Sequence, residues 1–165
     1  MTGSDGLIRP GTPAPEFTLP ATPDGRRTGP AQFRGRPVVL AFYPADWSPV
    51  CGDQMALYQA AMPEFERYEA MVLGLSVDSL WSHRAFADAK GIRFPLLSDF
   101  EPKGEVARGY GAYTPQGQAG RALVVLDPAG TVAWSYLSPA EVNPGADGVL
   151  DALEQLGTGR QVVTR

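Results

Sequence analysis

The stretch from Val38 to Tyr43, "VVLAFY", is apolar without interruption and ends at Pro44. A half-exposed strand would alternate apolar and polar residues. An unbroken run of this length belongs to a strand covered on both faces, as in a parallel sheet packed between layers. "AMVLGLSVD" reads as a second strand of the same kind and "FPLLSD" as a third, shorter one. Helical patterns separate them. The stretch after Pro49 carries Met55, Tyr58, Met62 and Phe65 at helical spacing, with Pro63 expected to kink or restart it. "SLWSHRAFADAKG" has Ser79 as a helix cap, an apolar stripe of Trp81, Ala85 and Phe86, and Gly91 as the stop. "RALVVLDPAGTVAWSY" is a hairpin turning at Asp127–Gly130, and "GADGVLDALEQLG" closes the chain with Val149, Leu150, Leu153 and Leu156 on one helical side. The order strand–helix–strand–helix–strand, hairpin, helix predicts an α/β layer fold with parallel central strands and an antiparallel end. "EFTLPATPDGRRT" adds a short hairpin before it, turning at Asp24-Gly25, and residues 1–15 are expected to form a loose arm on a single domain spanning 1–165.

A chain of 165 residues with 44% hydrophobic and 19% charged residues has the composition of a globular domain. The net charge of −4 and the absence of a Lys/Arg block argue against a nucleic-acid surface. No apolar run approaches the length of a membrane span, and the first residues lack the basic start and apolar core of a signal peptide. There is one cysteine, Cys51, and one histidine, His83. One thiol forms no internal disulfide, which favours a reducing cytoplasm, and a Cys/His metal site has too few ligands, so no metal and no cofactor are expected.

The lone cysteine follows the first buried strand within "FYPADWSPVC". Pro44 ends the strand. Ser48-Pro49 starts a helix, since Ser is a favoured cap and Pro a favoured first helical residue. Cys51 is then the third helical residue, at the carboxyl edge of a parallel strand, where open α/β sheets bind ligands. A helix start favours a thiolate, but magnitudes decide whether that suffices. Bringing any thiol from about 8.5 to about 6 needs roughly 3.4 kcal/mol. A helix terminus contributes roughly 0.3–1 kcal/mol, up to about 2 when partly buried. A nearby cation must supply the rest. Arg121 is of interest because it opens an otherwise apolar strand, although spacing alone does not single it out among twelve arginines. The plain alternatives are a small buried hydrophobe for Cys51, a cap for Ser48, a strand terminator for Pro44 and a strand-end salt bridge for Arg121.

Pro44, Ser48 and Cys51 in "PADWSPVC" resemble the peroxiredoxin motif Pro-x-x-x-Thr/Ser-x-x-Cys, and "FYPADWSPVC" is similar to the bacterioferritin comigratory protein and alkyl hydroperoxide reductase E types. "GTPAPEFTLPATPDGRR", "LGLSVDSLWSHRAFADAKGIRFPLLSD" and "GRALVVLDPAGTVAW" resemble further segments of that family in the same order. The resemblance implies a thioredoxin-like fold: a mixed central sheet, helices on both faces and an N-terminal hairpin. It implies a peroxidase that reduces hydroperoxides through a cysteine sulfenic acid. Cys51 would be the nucleophile, Arg121 the required cation, Ser48 the hydroxyl that holds the peroxide and Pro44 the shield against water. Val50, Gln54 and Trp47 would line the substrate. Three residues depart from the family pattern. Ser48 stands for the commoner Thr, Gln54 for Glu, and Ala56 for a second, resolving cysteine. With no second thiol, the reductant must come from outside: thioredoxin, a glutaredoxin-like protein or a low-molecular-weight thiol. The chain would act as a monomer or homodimer.

Two other readings compete. A Cys51–His83 hydrolase needs the imidazole within hydrogen-bond reach of the sulfur; His83, beside Trp81, reads more simply as a surface or core-edge residue. A thioredoxin-like interaction domain with an inert cysteine would use the exposed "DWSPV" loop as a docking patch.

Overall fold

In the computed structural model, residues 6–164 are described, with side chains as far as Gly157. A five-stranded sheet forms the centre, in the order β5-β4-β3-β6-β7. Strands β3 (Val38–Phe42), β4 (Met71–Ser76) and β5 (Leu96–Ser98) run parallel, while β6 (Arg121–Leu126) and β7 (Val132–Ser138) are antiparallel additions. A two-stranded hairpin, β1 (Leu19–Pro20) with β2 (Arg27–Thr28), precedes them, and Gly25 adopts φ +83° at its turn. Among the described residues, five further α-helices complete the fold, α1 (Pro49–Ala60), α2 (Met62–Arg67), α3 (Leu80–Lys90), α4 (Glu105–Gly109) and α5 (Asp147–Thr164), together with a 3-10 turn at Pro30–Phe33.

The apolar runs behave as two-sided strands. Along β3, Val39 and Ala41 enter one core cluster while Val38, Leu40 and Phe42 enter the other, and β6 alternates in the same way. The first cluster packs α1, α2, α3 and α5 onto one face; the second is covered by α4, the hairpin and the N-terminal segment. Helices therefore lie on both faces, but unequally. Pro63 falls in the first turn of α2, so the expected break after α1 is a restart. Gly91 caps α3 in the left-handed region, φ +67°.

Two expectations need correction, and one element has no counterpart in the sequence reading. Residues 7–15 are not a loose arm: Leu7 and Ala14 are buried, and the Ile8, Gly11 and Ala14 amides donate to the Tyr110, Val132 and Gly130 carbonyls at 3.0, 2.8 and 3.0 Å. A Gly/Pro-rich stretch was fastened by edge pairing that composition does not reveal; residues 1–5 lie outside the described residues. The inner face of α3 is His83, Phe86 and Ala87, whereas Ala85 is exposed and Trp81 is 77% exposed beneath the Arg84 guanidinium at 5.2 Å. An exposed Trp stacked under an arginine mimics an apolar stripe in sequence. Finally, α4 was not anticipated. It is short and is started by the buried Asp99 carboxylate, which accepts the Val106 and Ala107 amides at 3.1 and 2.9 Å.

Candidate active site

Phe42 ends β3, Tyr43 and Pro44 stay buried, and the chain crosses to α1 through Ala45–Ser48. Ser48 occupies the cap position with extended backbone, and Pro49 is the first helical residue. The Gly52 amide donates to the Ser48 carbonyl at 2.9 Å to close the first turn. The Ser48 hydroxyl makes no capping bond and is left for other partners. The first-turn amides of Val50 and Cys51 have no partner within the helix. Gly52 leaves room for Lys90, whose Cε would lie only 3.3 Å from a Cβ at that position. A second cation thus covers the turn that carries Cys51, which the sequence did not indicate.

Strand parity explains why Arg121 arrives at the same place. It shares the sheet face of Leu123 and Val125, the face on which α1 packs. Antiparallel pairing of β6 with β3 sets Leu123 against Ala41, so the beginning of β6 lies at the end of β3, where α1 starts. Arg121 is only 2% exposed. Its Nη1 donates to Cys51 Sγ at 3.3 Å and to Gln54 Oε1 at 2.8 Å, and its Nε donates to the Ala140 carbonyl at 2.9 Å. Gln54 Nε2 donates to the Tyr58 hydroxyl at 2.9 Å, which donates to the Gly145 carbonyl at 3.0 Å. This chain of bonds runs from the sulfur to the loop before α5. Among the described residues no carboxylate lies within ion-pair distance of Arg121. A buried guanidinium is always charged and needs compensation; the one group in contact with it that can become an anion is the Cys51 sulfur. Burial pushes the Tyr58 hydroxyl up to about 12, against smaller opposing effects of Gln54 and Arg121, so it stays a neutral donor. Tyr58, read in the sequence as part of an apolar stripe, is thus the end of the polar chain.

The sulfur is sealed: Cys51 has no solvent exposure. Of the residues expected around the substrate, Gln54 is buried in this chain and Val50 is half-buried beside it in the first turn. Trp47 is placed differently. It adopts φ +72°, is 53% exposed and packs its ring edge-on against Phe86 at 5.4 Å. No hydrogen bond ties it to Cys51 or Arg121.

His83 is a correction to the expectation of a surface or core-edge residue. It is fully buried, because it lies on the inner face of α3. It makes no hydrogen bond to Cys51; its ring nitrogens engage Asp46 and the Leu97 carbonyl instead. The geometry that a Cys–His hydrolase requires is absent. Ligand-capable atoms of Asp46, Asp78 and His83 lie within 4.8 Å of one another, but they are engaged in bonds with each other and with Tyr43, Ser76 and Ser82.

The AhpC/TSA family model matches residues 10–135. The chain belongs to this family, the peroxiredoxins. It is similar to the chloroplastic peroxiredoxin Q of Oryza sativa, 37% identical over 131 residues, covering 79% of this chain but 60% of the rice protein. The chain thus spans less than two thirds of that relative. It is 32% identical over 138 residues to alkyl hydroperoxide reductase E of Mycobacterium tuberculosis, covering 82% of this chain and 90% of the other. Among solved structures, Enterococcus faecalis AhpC superimposes with a TM-score of 0.85 at 26% identity, covering 92% of this chain and 94% of that one. Peroxidoxin BcpB of Mycobacterium tuberculosis gives 0.81 at 27% identity, covering 90% and 97%. The sheet and helices described above are the thioredoxin-like fold of the peroxiredoxins, carrying here a single cysteine.

Proposed function

We propose that this peroxiredoxin is a thiol-dependent peroxidase that reduces hydrogen peroxide and organic hydroperoxides. The single observation that carries the reading is the 3.3 Å contact between Arg121 Nη1 and Cys51 Sγ, with no carboxylate competing for the guanidinium among the described residues. The Cys51 thiolate attacks the terminal peroxide oxygen. The S–O bond forms as the O–O bond breaks, two electrons leave the sulfur, and the departing oxygen takes a proton and leaves as water or alcohol. The product is a sulfenic acid. Arg121, the Ser48 hydroxyl and the Val50 and Cys51 amides stabilise charge as it spreads across the breaking bond, the interactions that lower a barrier most. Gln54 holds Arg121, and Pro44 keeps water from the sulfur.

An external thiol then attacks the sulfenic sulfur and expels water, giving a mixed disulfide that a second thiol releases. Thioredoxin, a glutaredoxin-like protein or a low-molecular-weight thiol fills this role, and the lone thiol suits a reducing cytoplasm. Because Cys51 has no solvent exposure, peroxide and reductant reach it only with local movement around the sulfur. Single-turnover oxidation by hydrogen peroxide and cumene hydroperoxide tests the reading: loss of the free thiol should be orders of magnitude faster than for a free cysteine, and a rate equal to free cysteine would refute it.

The sealed sulfur also favours a second reading, an interaction domain with an inert cysteine. Alkylation by iodoacetamide separates the two. An inert thiol reacts with a midpoint near the ordinary value of about 8.5 or not at all, whereas a peroxidatic one reacts well below it.

A further inference from the structure

A second buried polar cluster stands at the same edge of the sheet, and the peroxidase reading does not use it. Its centre is Asp46, the middle residue of the loop between Pro44 and Ser48. The Tyr43 hydroxyl donates to Asp46 Oδ1 at 2.7 Å, and the Ser82 hydroxyl donates to Oδ2 at 2.9 Å. His83 Nδ1 lies 2.8 Å from the same Oδ2, and the Asp46 amide donates to Asp78 Oδ2 at 2.8 Å. That Asp78 oxygen also accepts the Ser76 hydroxyl at 2.6 Å. On the far side of its ring, His83 Nε2 donates to the Leu97 carbonyl at 2.9 Å. A carbonyl only accepts, so Nε2 carries a hydrogen. Each part of the cluster is satisfied. One short loop is thereby fastened to the end of β4, to α3 and, through His83, to β5.

What the loop holds is strained. Trp47, directly after Asp46, adopts φ +72°, a conformation disfavoured for a bulky side chain and kept only where the surroundings enforce it. Its ring rests on Phe86, three residues along α3 from His83. The next residue is Ser48, whose carbonyl closes the first turn of α1. Any relaxation at Asp46 therefore moves the turn that presents Cys51 to Arg121.

We propose that Asp46 and His83 are positioning residues: a buried clasp that holds the Pro44–Ser48 loop, and through it the start of α1, in the geometry that makes Cys51 reactive. This rests on the peroxidase reading and adds to it two residues that touch neither substrate nor sulfur. The decisive contact is Nδ1 to Asp46, since that one reaches the loop; Nε2 to Leu97 only anchors the ring.

Isosteric variants separate the two ring nitrogens. The amide of His83→Asn reaches where Nδ1 was, and that of His83→Gln reaches where Nε2 was. Single-turnover oxidation of Cys51 by hydrogen peroxide should slow about tenfold or more in H83Q and stay within about threefold of the parent in H83N, as expected when a reacting group is displaced by a fraction of an ångström. A role limited to core packing predicts the reverse or no difference, with rates following melting temperatures. Ser82→Ala removes one hydroxyl from Asp46 at a half-buried site; it should slow oxidation about threefold with melting unchanged. Should both His83 variants fail to fold, Ser82→Ala decides. Equal rates in H83N and H83Q, or a parental rate in Ser82→Ala, would overturn the clasp alone, because the parent would still be fast. A parent no faster than free cysteine would overturn the peroxidase reading and the clasp with it.

Discussion

Two buried polar clusters flank the start of α1, and they are built on opposite plans. In the Asp46–His83 cluster, carboxylate, imidazole, phenol and hydroxyls satisfy one another. In the Arg121–Cys51 cluster, a guanidinium meets a side-chain amide, one backbone carbonyl and a thiol, but no carboxylate among the described residues. The first is closed: its hydrogen-bonding groups are engaged with one another, so it holds shape. The second is open: its guanidinium is turned toward the Cys51 sulfur with no carboxylate competing for it among the described residues, so the contact is left for chemistry. A buried polar cluster satisfied within itself holds geometry, whereas one that turns a donor toward a reactive group leaves that group available for chemistry.

Substitutions on each side sharpen or break that contrast. Cys51→Ser should abolish peroxide reduction entirely while leaving the fold intact, measured as peroxide consumption and thermal melting. Arg121→Ala should slow Cys51 oxidation by about 10²- to 10³-fold, the scale of losing a preorganised donor to developing charge. His83→Gln, on the closed side, should cost only about tenfold; a loss as large as that of Arg121→Ala would erase the distinction between activating and holding. Gln54→Leu leaves the Tyr58 hydroxyl and Arg121 each short of a partner, and should destabilise by about 1–3 kcal/mol in urea unfolding. A further effect, confined to high pH, concerns alkaline stability. The Tyr58 hydroxyl is raised to about 12 from an ordinary 10, so the stability it contributes is complete below pH 10 and is lost as pH rises through 12. The loss should be on the order of 2 kcal/mol, and Tyr58→Phe should remove that part of the pH dependence.

Much of this architecture was visible in the chain itself. "VVLAFY", "MVLGLS" and "LVVL" have no polar interruption, and each became a strand with side chains in both core clusters. Ser48-Pro49 marked the helix start because a cap and a first-turn proline leave local traces. The placement of Arg121 beside Cys51 is not local. It depends on β6 pairing antiparallel with β3, 67 residues from Gln54 and 70 from Cys51 in sequence; the strand-opening position marks Arg121 as unusual, and only the family resemblance singles it out as the partner of Cys51. For His83 the exposed Trp81 suggests the wrong helical phase, and Asp46 carries no sequence signal because a charged residue in a loop ordinarily faces solvent. The fastening of residues 7–15 is likewise not local: its partners, Tyr110, Gly130 and Val132, are distant in sequence.

The central claim is that Arg121 acts on the reaction itself and not merely on thiol ionisation. Stopped-flow oxidation of Cys51 by hydrogen peroxide at pH 9, above the ordinary thiol value of about 8.5, tests it in the parent and in Arg121→Ala. The account predicts that the variant remains at least about a hundredfold slower there. Recovery of the parental rate at pH 9 would contradict it, leaving Arg121 as a counter-ion and nothing more.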